Sequence, residues 1–235
     1  MIEYVFFDLD ETLIDIKLAQ NKAVESLYVK YGFDTKATLE NFIRKWDELT
    51  EYHYAFYSRR EISYNEQRVR RIVDLFKAFN IVLEEEPLTD YYLMFFENAW
   101  SVYSEVNEVL ETLVNRGYKL GIISNGDYDQ QLQKIEKTGI RKYFDFINTS
   151  SQLEYSKPNP MVYAKVFNMH NINYENVCYV GDNYKKDILP CRSLGIRAIL
   201  INRNNKHYED NDLVSINNLK DIIPLIEKWT REKDI

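Results

Sequence analysis

Asp8 and Asp10 stand one residue apart at the end of the apolar run Tyr4-Val5-Phe6-Phe7, and Thr12 comes two residues later. Two carboxylates that close repel each other unless a cation or a proton lies between them. On its own, D-x-D reads first as the solvated acidic turn after a strand, because so short a motif matches often by accident. Three further groups carry comparable chemistry. In Ser124-Asn125-Gly126-Asp127, a hydroxyl and the backbone N–H groups of a helix start would form an anion site; alternatively Ser124 or Asp127 simply caps that helix. In Gly181-Asp182-Asn183-Tyr184-Lys185-Lys186-Asp187, a second carboxylate group succeeds an apolar run, and a capped loop is again the plainer reading. Between them lies Ser156-Lys157-Pro158-Asn159-Pro160. A residue before proline is pushed to extended backbone, which would aim the Lys157 ammonium in one direction. A single lysine is otherwise a solvated surface group.

The elements around these groups explain their positions. Tyr4 to Phe7 is a short apolar run bounded by polar residues and reads as a buried strand. Asp8 then sits at its carboxyl end, where ligands bind in open α/β sheets. From Asp15 to Tyr103 the pattern is helical. Four apolar sets recur at helical spacing: Ala19 to Tyr31, Leu39 to Phe56, Val69 to Phe79, and Tyr91 to Trp100. Gly32 ends the first of them. Glu84-Glu85-Glu86-Pro87 is a polar break, with Thr89 as a cap for the fourth helix.

After residue 104 the pattern alternates. Helices are expected over 105–116, 127–138, 160–170, 187–194 and 219–229. Strands are expected over 119–124, 144–149, 177–181, 197–201 and, briefly, 213–216. Strands alternating with helices predict a parallel sheet covered on both faces. Pro190 is tolerated only in a first turn, so the fourth core helix is started at Asp187, with Asp187 as its cap. The expected fold class is α/β: a three-layer α/β/α Rossmann-like parallel sheet core with an inserted helical bundle. The domain limits are 1–14 with 104–235 for the core and 15–103 for the insert.

Composition narrows the function classes. The chain has 235 residues, 45% of them hydrophobic, which suffices for a packed core. The net charge is −7 and no long basic cluster occurs, which argues against a nucleic-acid partner. Arg68, Arg70 and Arg71 are expected to mark a helix face, one of them toward the cleft and the others solvated. No apolar run approaches the ~20 residues of a membrane span. With no basic leader before the first strand, a cytoplasmic location is expected. Cys178 and Cys191 are too few for a disulfide framework and are expected to be buried thiols.

Taken in order, D-x-D-x-T, S-N-G, K-P and G-D-x-x-x-x-D each lie at a loop after or near a core strand, and all would open on one edge of the sheet. In this the chain resembles the haloacid dehalogenase-like hydrolase superfamily, in its phosphatase branch with an inserted helical cap. The resemblance covers essentially the whole chain.

The resemblance implies that Asp8 is the nucleophile and forms an aspartyl-phosphate. Asp10 would protonate the leaving group and then activate water, and Lys157 would neutralise charge. Ser124 and the N–H of Asn125 would bind the phosphoryl oxygens, with Thr12 beside them orienting Asp10. A Mg²⁺ cofactor would be held by Asp8, the carbonyl of Asp10, and Asp182, with Asp187 behind them. The implied function is hydrolysis of a small phosphomonoester such as a sugar phosphate or nucleotide. The 2-haloacid dehalogenases of the same superfamily need no metal and lack the second aspartate. Phosphoglucomutase-like members share Asp10 and remain an alternative. A third class is a non-catalytic binding protein on the same fold. The implied cap chooses the substrate, but its aromatic run Tyr52-His53-Tyr54-Ala55-Phe56-Tyr57 reads first as bundle core with phenol groups at the surface, and His53 as a packed histidine. The chain is expected to act as a monomer or homodimer.

Overall fold

The computed structural model describes residues 1–81 and 88–231. The Glu84-Glu85-Glu86-Pro87 break therefore lies outside the described residues. The chain forms two compact units, Met1–Asp15 with Val102–Ile235, and Ile16–Ser101.

The first unit is a six-stranded, wholly parallel sheet in the order β3-β2-β1-β4-β5-β6. Its strands are β1 (Tyr4–Phe7), β2 (Lys119–Ser124), β3 (Phe146–Thr149), β4 (Val177–Gly181), β5 (Arg197–Ile201) and β6 (Ser215–Ile216). The flanking helices α5 (Val106–Asn115), α6 (Tyr128–Lys137), α7 (Met161–Met169), α8 (Leu189–Ser193) and α9 (Ile222–Arg231) make it the three-layer α/β/α core that the alternating pattern predicts. β1 is central: Tyr4 pairs with Lys119 on one side and Val177 on the other. Val5, Phe6 and Phe7 are fully buried, as a strand covered on both faces requires. The Phe6 ring lies over the neighbouring strand at Gly121, where a Cβ would fall 2.2 Å from it. Glycine is thus the residue that lets this ring pack, stacked on Phe146 and edge-on to Phe167.

The second unit holds α1 (Ile16–Lys30), α2 (Leu39–Ser58), α3 (Tyr64–Ala78) and α4 (Leu88–Asn98). Thr38 and Ser63 cap α2 and α3 by accepting from the N–H of Asn41 and Glu66. Thr89 lies inside α4, which already includes Leu88, so it is not the cap expected. Phe33, Phe42, Phe76 and Phe79 meet at 4.3–5.7 Å between ring centres and form the aromatic centre of this unit. The run from Tyr52 to Tyr57 is not that core. Within it only His53 is buried, bonded to Asp74 at 2.9 Å, while the rings around it stay half-buried or exposed. Arg68 and Arg71 also depart from expectation. Both are buried, and only Arg70 is solvated, paired with Glu66.

No helix among the described residues is long and apolar enough to cross a membrane. Both cysteines are free and buried.

Candidate active site

β1 delivers Asp8 to the sheet edge, and its N–H continues the ladder to the Val180 carbonyl at 2.8 Å. Asp182 comes directly after β4, so the two carboxylates come from adjacent strand ends. Asp187 joins them from the turn beyond. Oxygens of Asp8, Asp182 and Asp187 all lie within 4.8 Å of one another. Asp187 is 1% exposed and packs onto Gly181, where a Cβ would meet its Cγ at 2.4 Å.

The helix start differs from the one expected. Asn183 is the cap, its side chain accepting from the N–H groups of Lys185 and Lys186. A wide π turn, Tyr184–Ile188, then leads into α8 (Leu189–Ser193), with Pro190 in the first turn. The extra width turns Asp187 inward, where it accepts the Asn183 N–H at 3.0 Å instead of capping the helix.

Lys157 is the cation at the centre. Its Nζ donates to Asp8 Oδ1 at 2.6 Å, Asp187 Oδ1 at 2.7 Å and Tyr179 Oη at 3.0 Å. Tyr179 donates in turn to the Ile123 carbonyl. The backbone of Lys157 is bracketed by the Asn125 carboxamide, which donates to its C=O and accepts its N–H, both at 2.9 Å. The side chain of Asn125 thus ties the loop after β2 to the loop carrying the lysine. The Lys157–Pro158 peptide is cis.

Asp10 stands beside this group on partners that no sequence motif marks. After β2, Asp127 caps α6 (Tyr128–Lys137), and that helix presents Gln131 and Lys134. Lys134 Nζ donates to both Asp10 oxygens, at 2.7 and 2.9 Å, and is 2% exposed. Gln131 Nε2 bridges Asp10 Oδ2 at 3.2 Å and Ser124 Oγ at 2.8 Å. Thr12 does not orient Asp10 here: its hydroxyl is buried without a hydrogen-bond partner, and its carbonyl accepts from Arg203 at 2.9 Å. Arg203 also pairs with Glu105 and stacks 3.5 Å over the Tyr103 ring. It thereby pins the turn after β1 from the loop that follows β5.

Charge at this edge is out of balance, with three clustered carboxylates and one ammonium between them. Burial, reinforced by Asp187 and opposed by Lys157, raises Asp8 to about 6. Burial and the neighbouring Asp8 and Asp187 raise Asp182 to about 8. Burial alone would depress the Lys157 ammonium, but Asp187 and Asp8 outweigh it and hold the group above its ordinary value. Such a set of buried and half-buried hard oxygen donors fits a divalent cation of the magnesium type.

A family model described as haloacid dehalogenase-like hydrolase matches residues 5–201. The chain belongs to this family. Among curated relatives of the family, a glyceraldehyde 3-phosphate phosphatase of Pyrococcus abyssi is 27% identical over 85% of this chain and 81% of its own. A pyrimidine 5'-nucleotidase of Streptococcus pneumoniae is 24% identical over 98% of each chain. The magnesium-bound crystal structure of YfnB from Bacillus subtilis superposes with a TM-score of 0.79, covering 96% of this chain and 98% of that one at 17% identity. That likeness is one of fold.

Proposed function

We propose that this haloacid dehalogenase-like hydrolase is a Mg²⁺-dependent phosphatase acting on a small phosphorylated metabolite in the cytoplasm. The observation that carries the reading is the carboxylate set. Asp10 is present beside Asp8, and Asp8, Asp182 and Asp187 cluster around the Lys157 ammonium, which pairs with Asp8 and Asp187. The family's metal-independent dehalogenases lack the second aspartate and have no need of such a charge excess. The phosphatase and nucleotidase relatives support the same side.

Asp8 attacks phosphorus, the P–O bond to the leaving alcohol breaks, and Asp10 gives that oxygen a proton. Asp10 then takes a proton from water, whose oxygen attacks phosphorus. The bond to Asp8 breaks and inorganic phosphate leaves. Lys157 offsets negative charge on Asp8 and on the phosphoryl group throughout. Ser124 and the Asn125 N–H hold phosphoryl oxygens, and the side chain of Asn125 keeps Lys157 in register. Asp8, the Asp10 carbonyl and Asp182 would hold the cation, with Asp187 behind them; when bound, it neutralises the carboxylates and the phosphoryl oxygens. Residues 15–103 act as the substrate-selecting cap.

The deciding experiment measures phosphate release from p-nitrophenyl phosphate and a panel of metabolite monoesters, with Mg²⁺ and with EDTA. Metal-dependent release that disappears in Asp8→Asn is expected. Halide release from 2-chloropropionate in EDTA, or no turnover of any ester, would overturn the reading.

A further inference from the structure

Buried charge without a counter-charge is rare in a folded protein, because desolvating a guanidinium is expensive unless an anion meets it. The helical unit holds two such groups on one helix. Arg68 and Arg71 lie three residues apart on the same face of α3. They are 8% and 6% exposed. Neither forms a salt bridge with any carboxylate among the described residues. Arg71 donates one hydrogen bond, from Nη1 to Thr50 Oγ1 at 3.2 Å, and its Nε finds no acceptor. Arg68 Nη2 is likewise buried without a partner.

Their surroundings are aromatic. The Arg71 guanidinium lies 4.2 Å over the Trp46 ring and 5.9 Å from the centre of the Tyr92 ring, and Arg68 lies 4.1 Å over Tyr64. Ring faces attract a cation but accept none of its N–H bonds in the plane of the guanidinium. Two further buried donors in the same wall, Trp46 Nε1 and Tyr92 Oη, also lack partners. Among the described residues the local excess is therefore of positive charge and of donors. A guanidinium fork matches the oxygens of a carboxylate or phosphate.

We propose that Arg68 and Arg71, walled by Trp46 and Tyr92, form an oxyanion-binding site within the helical unit, taking a carboxylate or phosphate group. The inference goes beyond the phosphatase reading and does not need it. Trp46 provides a local reporter. Phosphate and, separately, malonate are titrated into the full-length protein in EDTA at constant ionic strength, against chloride. Tryptophan fluorescence and thermal melting are monitored. The expected result is a saturable fluorescence change and a rise in Tm with at least one oxyanion. The fluorescence change vanishes in Trp46→Phe. Both responses vanish in Arg71→Met and Arg68→Met, which should fold because apolar residues replace buried charge, and both persist in Ser124→Ala. If neither oxyanion outperforms chloride, or if the arginine variants respond like wild type, the site does not exist.

Steady-state kinetics then separate two sources of the anion. If it is a second acidic group on the substrate, Arg71→Met raises KM tenfold or more for a monoester carrying a carboxylate and leaves p-nitrophenyl phosphate unchanged. If it is a separate ligand, both esters respond alike to added malonate. A site that binds oxyanions while no ester is turned over would defeat the phosphatase reading alone.

Discussion

Gly181→Ala places one methyl group where the structure has no room for it. The added Cβ would lie 2.4 Å from Asp187 Cγ, 2.5 Å from its Cβ and 2.6 Å from Oδ2. Carbon atoms in contact sit about 3.5–4.0 Å apart, so Asp187 must retreat by about 1 Å. The backbone at Gly181 is not left-handed, so alanine is excluded by space and not by conformation. Retreat breaks two bonds together: Oδ1 loses Lys157 at 2.7 Å, and Oδ2 loses the Asn183 N–H at 3.0 Å. Lys157 is then held by Asp8 and Tyr179 without its third anchor. Overpacking of this kind costs about 1–3 kcal/mol of stability. A reacting group displaced by about 1 Å costs about 10²-fold in rate. Phosphate release under saturating Mg²⁺ should therefore show kcat down about a hundredfold, with Tm lower by several degrees. Asp187→Ala should lose a similar amount, and the double variant little more, because both changes act through one contact. A folded Gly181→Ala protein with wild-type kcat would refute the chain from Gly181 through Asp187 to Lys157.

Other perturbations test other contacts. Lys134→Met removes both bonds to Asp10 and should lower kcat by about 10²-fold or more while KM for p-nitrophenyl phosphate stays within a few-fold, since Asp10 acts in proton transfer. An unchanged kcat would mean that Gln131 alone positions Asp10. Thr12→Val should leave activity intact and Tm unchanged or higher, because it removes a buried hydroxyl that bonds to nothing; a large loss of kcat would restore Thr12 to the reacting group. The unfolded chain releases the Asp8 and Asp182 protons near 3.8, whereas the folded chain keeps them to about 6 and about 8. Between those values the unfolded state binds fewer protons, so metal-free protein should lose stability as pH rises through that window. Melting in EDTA should show Tm falling toward pH 8, less steeply in Asp182→Asn, with Mg²⁺ stabilising most at the high end. A Tm in EDTA that rises over that window would contradict the assignment.

The strand ends are readable because periodicity and chemistry agree there. Apolar runs stop at Asp8, Ser124 and Gly181, and Asp127 caps α6 as its position before that helix requires. Gln131 and Lys134 are hidden in the sequence because polar residues on an amphipathic helix read as the solvent face. Their signal is a spacing: they lie three residues apart, so one face of the helix carries both toward Asp10. Arg68 and Arg71 are hidden for the same reason. A rule that keeps charge outside puts Val69 in the apolar stripe. The buried stripe instead runs through Arg68, Arg71, Ile72, Leu75 and Phe76, and Val69 is 36% exposed. At Asp187, local rules favour a helix cap. The turn is wider than an α-helix, and Asn183 takes the cap, because the carboxylate is held by Lys157 from a distant loop that no local pattern shows.

The central position of β1 has a consequence for how the protein is made. Tyr4–Phe7 leaves the ribosome long before its neighbours in the sheet, β2 and β4, which begin at Lys119 and Val177. The strand preceding Asp8 is therefore an unpaired, mostly apolar segment until β2 is made, and such edges invite wrong pairing. The helical unit, complete at residue 101, emerges in between and relies on contacts of much shorter range. Vectorial synthesis thus lets the insert form while the sheet waits. The opening strand gains both of its partners only when β4 is released, and that same event brings Asp182 to Asp8.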